Sequence, residues 1–329
     1  MLVEQSYDKK EIFIRCNKLR GLMALVVLFS HIWGFTGLVF LVPFNKFVTI
    51  AVAVFFFLSG YGMMSSSLVK KGYAKGIYLQ KIPFLLLMAF TAYAVSVLIQ
   101  FILKVPNDVD VLFSPFGLMG FLKSTNWYVY ELIGFYILFS LGLLIKKPII
   151  RVLFIFICSV AGFIILYYSG LVEAYYNSIF GFSIGMLAGA TDFPALMKKF
   201  KLGFILGLVL IMISFGLMFI MDKDSILFAL IRNVAAAGTL IVILYFCSLI
   251  KIDLKINDFL CRISPELYFY HMPVALLFSR VIENPYIYAI VVIIISFILA
   301  VIFNIIDRRI SKSWKSPALK GDKVEKKSS

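Results

Sequence analysis

The sequence predicts an all-α, polytopic membrane protein. Of its 329 residues, 62% are apolar and only 15% are charged, and the apolar residues recur in long runs from one end of the chain to the other. A helix of about 20 apolar residues spans the hydrocarbon of a bilayer and satisfies its own backbone hydrogen bonds there. Most of these runs are apolar on all sides, whereas a helix of a soluble protein has one apolar stripe. We therefore predict about ten transmembrane helices.

Turn signals separate the first five apolar segments. The first segment begins at Arg20, and a turn at Pro43 reverses the chain into the second. The third opens at Pro83, a residue that suits the first turn of a helix. The fourth ends at the basic pair Lys146-Lys147. These signals place helices at residues 20–40, 47–67, 82–104, 126–145 and 150–168.

Short polar turns separate the remaining five segments. Ser169-Gly170 precedes the sixth helix, an acidic turn precedes the eighth and Glu283-Asn284 precedes the tenth. We expect residues 1–19 to form a cytoplasmic segment, residues 20–306 to form the membrane domain, and the polar, basic residues 307–329 to be a disordered cytoplasmic tail. The later helices are placed at residues 171–190, 202–221, 226–250, 264–282 and 286–306.

The net charge of +15 is distributed as in a membrane protein and not as in a nucleic-acid-binding protein. With ten helices and both termini in the cytoplasm, 26 of the 32 Lys and Arg residues fall on the cytoplasmic side, as the positive-inside rule predicts. We therefore expect membrane lipids, and no nucleic acid, as partners. The other six basic residues are Lys46, Lys104, Lys123, Lys223, Arg232 and Arg280.

The four cysteines predict neither a disulfide framework nor a metal site. Cys16, Cys158, Cys247 and Cys261 are scattered along the chain without the spacing of a CxxC motif or of a set of metal ligands. No cleavable signal peptide is evident, because no small-residue cleavage site follows the first apolar segment.

The first predicted helix carries the strongest functional signal. Arg20 and His31 are eleven positions apart, which in an α-helix is a rotation of three turns plus roughly 20° and a rise of about 16 Å. Both side chains therefore lie on one face, the guanidinium near the membrane surface and the imidazole well inside. His31 and His271 are the only histidines of the chain, and both fall within predicted helices. The alternative for each is a structural role, bonded to a neighbouring hydroxyl.

Glu131 is the second candidate, because ionisable groups inside a bilayer are costly and are functional candidates until a partner explains them. It lies one turn into the fourth predicted helix, at a depth that is compatible with contact to His31. A carboxylate bonded to a histidine fixes the tautomer of the ring and raises its basicity, which suits a general base. We therefore predict that Glu131 pairs with His31.

Further charged residues lie near both predicted membrane surfaces. Arg232, Arg280 and Glu173 fall in the outer parts of their helices, where they line a polar acceptor cavity or, alternatively, pair with each other or extend to the headgroups. At the cytoplasmic end, Arg20 is a good bidentate partner for phosphate. Lys81 and the loop lysines add charge there, although positive-inside retention explains these lysines without any ligand.

Five blocks of the chain resemble, in order, elements of acyltransferase family 3, the integral-membrane acyltransferases that modify bacterial surface glycans. The first resembles the family's Asp-x-Leu-Arg-Gly…His signature, although Asn17 stands where the family usually has Asp. The second resembles Phe-Phe-x-Leu-Ser-Gly-Phe/Tyr. In the last, Ser264-Pro265-Glu266 replaces the commoner Ser-Tyr of the Ser-Tyr-x-x-Tyr-x-x-His-x-Pro element. The blocks are residues 17–31, 56–61, 81–83, 127–136 and 264–273.

The resemblance implies a ten-helix enzyme of the bacterial plasma membrane that transfers an acyl group, usually acetyl from cytoplasmic acetyl-CoA, to a sugar hydroxyl. By carry-over, Arg20 contacts the coenzyme and His31 is the catalytic histidine. We also assign Lys81 to coenzyme binding, and we expect no metal cofactor. Residues assigned to substrate binding are Tyr61, Trp127, Arg232 and His271.

These observations together predict an O-acetyltransferase of a cell-surface or lipid-linked saccharide. In this hypothesis His31 deprotonates the sugar hydroxyl or accepts the acetyl group transiently, and Glu131 orients its ring. A competing hypothesis is a transporter or flippase of a lipid-linked saccharide or hydrophobic anion, but paired Gly/Pro-broken helices in matching halves are lacking. A third is a regulatory relative without activity, which only Asn17 supports. The sequence indicates no particular oligomeric state.

Overall fold

The structure is a computed structural model, and it describes residues 2–70, 72–104, 127–171, 173–192, 201–249 and 255–314. Within these ranges the chain is helical and contains no β-strand, which confirms the predicted all-α class. The predicted connection at 105–125 and the tail beyond residue 314 lie outside the described residues. The main helices are α1 (Leu2–Thr36), α2 (Val42–Val69), α3 (Ile82–Leu103), α4 (Trp127–Gly142), α5 (Pro148–Tyr168), α6 (Phe180–Ala190), α7 (Leu202–Ile220), α8 (Ile226–Leu249), α9 (Lys255–Phe278) and α10 (Pro285–Trp314).

Seven of these helices are long and apolar enough to cross a membrane, namely α1, α2, α3, α5, α7, α8 and α10. The chain is therefore a multi-pass membrane protein. Helix α4 is apolar but shorter, α6 has only 11 residues, and α9 carries charged residues in its first half. The total of ten spanning helices thus stays a prediction.

Helix α1 begins and ends earlier than the hydropathy pattern indicated. It begins at Leu2 and ends at Thr36, whereas the sequence predicted a helix from residue 20 to residue 40. No Pro or Gly interrupts residues 2–20, so a polar helical extension precedes the apolar part. Gly37, with φ +66°, ends the helix, and its amide donates to the Trp33 carbonyl at 2.7 Å.

Four other predicted boundaries are wrong. Helix α2 begins at Val42, five residues before the predicted start, and Pro43, which the sequence placed in a connecting turn, lies in its first helical turn. Helix α6 begins at Phe180, not at residue 171, because a 3₁₀ turn, Glu173–Tyr175, precedes it and Asn233 binds the carbonyl of Tyr176. Helix α9 begins at Lys255, nine residues before the predicted start, since it accommodates Pro265 in its interior. Helix α10 continues to Trp314, past the predicted end at residue 306.

The helices pack around α1, α2 and α9. Helix α1 contacts both α2 and α9, α9 also packs on α3 and α10, and α2 packs against α6. The α2–α6 contact is very close: a Cβ atom on Gly60 would lie 2.1 Å from the Phe182 carbonyl oxygen, and one on Gly185 would lie 2.1 Å from that of Phe57. Small residues let the backbones of two membrane helices approach in this way. Gly60, in the second family-like block, is thus required by packing.

Candidate active site

A cavity of about 370 Å³ lies between α1, α2, α3, α4 and α9. Four of the five family-like blocks contribute to its wall, and the block at residues 81–83 does not. Most of the lining side chains are apolar, which leaves a small number of polar groups to orient a ligand. These polar residues are Asn17, Arg20, Ser59, Tyr128, Ser264 and Tyr268.

Arg20 is fixed to the wall of this cavity by a hydrogen bond to α9. Its Nη2 donates to the Cys261 carbonyl at 2.7 Å. That carbonyl is available because Pro265, four residues later, has no N–H to donate to it. The hydroxyl of Ser264 donates to the same oxygen at 3.0 Å. The Nε of Arg20 is buried and has no hydrogen-bond partner among the described residues.

The two histidines of the chain meet inside the helix bundle. The ring centroids of His31 and His271 are 5.2 Å apart, with an angle of 36° between the ring planes. His271 Nδ1 lies 3.0 Å from the Leu267 carbonyl oxygen. A carbonyl oxygen only accepts, so Nδ1 carries the proton and Nε2 holds the lone pair. That Nε2 is buried without a hydrogen-bond partner in the described part of the chain.

A pair of tyrosines connects the cavity to the histidines. The rings of Tyr128 and Tyr268 both line the cavity, and their centroids are 4.9 Å apart. The ring of Tyr268 also lies 5.8 Å from that of His271. The histidine pair therefore lies behind Tyr268, which forms part of the cavity wall.

Glu131 does not make the predicted hydrogen bond to His31. Both of its carboxylate oxygens are buried and have no hydrogen-bond partner within the described residues. It lines a separate cavity of about 230 Å³ on another side of α4. Depths in the membrane can be compared from the sequence, but the direction of each side chain around its helix cannot. The structure brings His271, and not Glu131, into contact with His31.

Lys81 and Arg232 lie away from the first cavity. The Nζ of Lys81 is over the rings of Tyr73 and Tyr136, at 5.3 and 5.4 Å from their centroids. Such cation–π contacts hold the ammonium at the aromatic faces. Arg232 forms an ion pair with Glu173, one of the alternatives left open by the sequence. Both residues of this pair line a third cavity of about 220 Å³.

Tyr61 and Trp127 have indirect contact with the first cavity. The ring of Tyr61 stacks on Phe13, with centroids 4.1 Å apart, and Phe13 lines the cavity. Trp127, the first residue of α4, contacts the ring of Tyr128 at 6.1 Å and that of Tyr175 at 5.6 Å. Each residue therefore supports a wall of the site.

Sequence reasoning missed the two tyrosines and two serines of the cavity wall. Tyr128, Tyr268, Ser59 and Ser264 all fall within the family-like blocks, which was the available signal, but no role was assigned to them. Their direction into one cavity depends on how three helices, α2, α4 and α9, are rotated against each other. Among the described residues, no group of three or more His, Cys, Asp or Glu side chains is placed to hold a metal ion.

The fold and the site define a multi-pass helical membrane protein with a mainly apolar internal cavity, an arginine in its wall and a histidine pair behind it. The chain belongs to acyltransferase family 3: the family model, described as an acyltransferase domain, matches residues 17–306. It is therefore a membrane acyltransferase, which confirms the family predicted from the five blocks. No match was found among curated proteins or among solved structures.

Proposed function

We propose that this acyltransferase is an O-acetyltransferase, which moves an acetyl group from cytoplasmic acetyl-CoA to a hydroxyl of a cell-surface or lipid-linked saccharide. The observation that carries the proposal is the arrangement of Arg20, the first cavity and the His31–His271 pair. Arg20 and Tyr268 line the same cavity, and Tyr268 contacts His271. The cavity thus has a phosphate-binding type of residue in its wall, and the histidine pair lies behind Tyr268 and does not itself line the cavity.

Arg20 is the residue proposed to bind the phosphates of the coenzyme. A guanidinium forms strong charge-assisted hydrogen bonds with phosphate, and Arg20 lines the first cavity. The rise along α1 from Arg20 to His31 is about 16 Å, a length that the pantetheine arm of the coenzyme spans. Apolar walls suit this thin arm. A coenzyme role for Lys81, and substrate roles for Tyr61, Trp127 and Arg232, stay predictions.

His31 is the proposed general base. It takes the proton from the acceptor hydroxyl while the hydroxyl oxygen attacks the thioester carbonyl carbon. The carbon–sulfur bond then breaks, the thiolate of CoA takes up the proton, and the products are CoA and an acetyl ester. His271 lies beside His31, and its Nε2 lone pair can accept a hydrogen bond from the protonated His31 ring. In this scheme His271 has the orienting role that the sequence analysis gave to Glu131.

Replacement of His31 tests this function. We expect His31→Ala to abolish acetylation of surface glycans, measured by mass spectrometry, and acetyl transfer by the purified protein in detergent. Gly34→Ala is the matched control, because it lies one turn away on α1 and a Cβ atom there meets nothing within 4 Å. Full activity of His31→Ala would exclude the mechanism. Transfer in detergent, where there is no second compartment, also separates an enzyme from the competing transporter.

A further inference from the structure

We propose that the third cavity, which Glu173 and Arg232 line, is a docking site for an uncharged stretch of a saccharide chain, separate from the place of acetyl transfer. The inference rests on the proposed function and adds how a polymeric acceptor is held: one sugar binds here while a hydroxyl elsewhere on the same chain reacts. The cavity has a volume of about 220 Å³ and lies between the end of α5, the segment that precedes α6 and the turn between α7 and α8.

The lining of the third cavity is mainly polar, whereas that of the first is mainly apolar. Among its described lining residues, two are basic and two are acidic, so their formal charges cancel. A sugar hydroxyl both donates and accepts hydrogen bonds, and it therefore matches a lining that offers cationic donors together with carboxylate acceptors. A lining without net positive charge favours such a ligand over an anion. The charged and aromatic polar residues of the lining are Tyr167, Glu173, Tyr176, Lys223, Asp224 and Arg232.

The charged groups of this cavity are both accessible and held in place. The side chain of Glu173 is 58% exposed and that of Arg232 is 29% exposed, and Lys223 is exposed as well. Glu173 Oε2 accepts a hydrogen bond from Arg232 Nη1 and another, of 3.3 Å, from Asn177 Nδ2. Both bonds end on the same oxygen, so Oε1 of this exposed carboxylate is left for a ligand.

Two tyrosines give the cavity an aromatic surface on which the C–H face of a sugar ring can pack. The rings of Tyr167 and Tyr176 have centroids 5.6 Å apart and an angle of 66° between their planes. The Tyr167 hydroxyl donates to the main-chain oxygen of Asp224, and the amide of Asn233 donates to that of Tyr176 at 2.7 Å. These bonds join α5, the segment before α6 and α8 around the cavity, so the site is formed before a ligand binds.

The third cavity and Arg20 lie at opposite ends of the helix bundle. Helix α1 rises about 24 Å from Arg20 to its last residue, Thr36, and the chain then turns into α2. Ser178, which follows the lining residue Asn177, donates to the carbonyl of Thr49 in the second turn of α2 at 2.9 Å. The cavity is therefore at the end of the bundle where α1 ends and α2 begins. A coenzyme bound at Arg20 and a saccharide bound here do not compete for space.

Packed aromatic rings connect the docking site to the wall of the first cavity. Tyr175, which lies between Glu173 and Tyr176 in the chain, has its ring 5.6 Å from that of Trp127. The ring of Trp127 is 6.1 Å from that of Tyr128, which lines the first cavity. The two sites thus have a fixed separation, and binding of one sugar at the docking site raises the effective concentration of the other hydroxyls of that chain near the first cavity.

The test compares saccharide chains with their single sugars as acceptors. Unacetylated glycan is isolated from cells that lack the protein, and part of it is hydrolysed to single sugars. Glu173→Ala/Arg232→Ala removes both members of the ion pair and leaves neither charge unpaired. We expect the KM for the chains to rise at least about tenfold, the effect of losing hydrogen bonds to charged groups, with kcat and the KM for single sugars unchanged. Lys223→Ala, at an exposed position of the same cavity, should also raise the KM for the chains.

Lys46→Ala/Glu283→Ala is the matched control. It removes one basic and one acidic residue that are exposed and do not line the third cavity, and it should keep the wild-type KM for chains. A wild-type KM for chains in both Glu173→Ala/Arg232→Ala and Lys223→Ala would overturn the docking site.

Binding of radiolabelled chains to the purified full-length protein in detergent separates this inference from the proposed function. The wild type and His31→Ala should bind the chains equally, and Glu173→Ala/Arg232→Ala should bind them at least about tenfold more weakly. That result supports the docking site even if the wild type transfers no acetyl group. Absence of binding by the wild type would overturn the site. Displacement of the chains by inorganic phosphate would also overturn it, because it would indicate an anion site at the two basic residues.

Discussion

Arg20 on α1 and Cys261 on α9 are joined by a hydrogen bond of 2.7 Å from the guanidinium Nη2 to the main-chain oxygen. Pro265 makes this contact possible, because it cannot donate to the carbonyl four residues before it. The sequence departs from the family element at this position, where Ser264-Pro265-Glu266 replaces the commoner Ser-Tyr. The departure thus adds an acceptor for the arginine proposed to bind the coenzyme.

Pro265→Ala tests this relationship. The substitution restores an N–H that competes with Arg20 for the Cys261 carbonyl, so the guanidinium loses an anchor. The loss of one hydrogen bond worth about 1 kcal/mol should raise the KM for acetyl-CoA roughly fivefold, with little change of kcat. Steady-state kinetics of the purified enzyme measures both. Pro273→Ala also restores an N–H within α9, but far from Arg20, and should leave this KM unchanged. Equal KM values for the wild type, Pro265→Ala and Pro273→Ala would contradict this role of Pro265.

Arg20→Lys should weaken binding of acetyl-CoA although it keeps the charge. A lysine has no planar fork that can bind the Cys261 carbonyl and a phosphate at the same time. We expect the KM for acetyl-CoA to rise about tenfold. Arg15→Lys is the control, since Arg15 on the same helix pairs with Glu11. A similar loss in that variant would mean that the effect is not specific to the cavity.

His271→Asn should lower kcat and leave the KM for acetyl-CoA nearly unchanged. The amide of asparagine can still donate to the Leu267 carbonyl, as Nδ1 does at 3.0 Å, but the Nε2 lone pair beside His31 is lost. A decrease of kcat of about 10²-fold is expected for a group that assists proton transfer. An unchanged kcat in His271→Asn would contradict the pairing of the two histidines.

The variants Gly60→Ala and Gly62→Ala should differ in thermal stability, although the two positions are only two residues apart on α2. A Cβ on Gly60 would lie 2.1 Å from the Phe182 carbonyl oxygen, whereas one on Gly62 meets nothing within 4 Å. Overpacking of this kind typically costs about 1–3 kcal/mol, and an alanine in place of a freely placed helical glycine is favourable by about 0.5–1 kcal/mol. Thermal unfolding of the two purified variants in detergent compares them. Equal melting temperatures would contradict the close contact.

The helices could be located from the sequence, but some of their ends could not. Burial in lipid requires apolar side chains, so hydropathy placed every main helix. It could not show that α1 extends back to Leu2, because a polar helix outside the hydrocarbon has no apolar signature. It also placed the start of α9 at residue 264, whereas the helix begins at Lys255 and contains Pro265, which is tolerated there because another donor binds the freed carbonyl.

The sequence predicted Arg20 as a residue of the candidate site, but neither the tyrosines and serines of the cavity wall nor the pairing of the two histidines. Arg20 and His31 could be aligned because one helix fixes their relative direction. The partner of His31 belongs to another helix, α9, and the spacing of residues within one helix does not determine how that helix is rotated against another. The sequence therefore favoured Glu131 on depth alone, whereas the rotation of α9 brings His271 within 5.2 Å.

The brevity of α6 has a consequence for how this helix is held in the membrane domain. Its 11 residues rise about 16 Å, roughly half of the hydrocarbon thickness of about 30 Å. Such a segment is too short to cross that thickness alone, and its glycine-lined face packs closely on the backbone of α2. The place of α6 in the membrane domain therefore depends on its contact with α2.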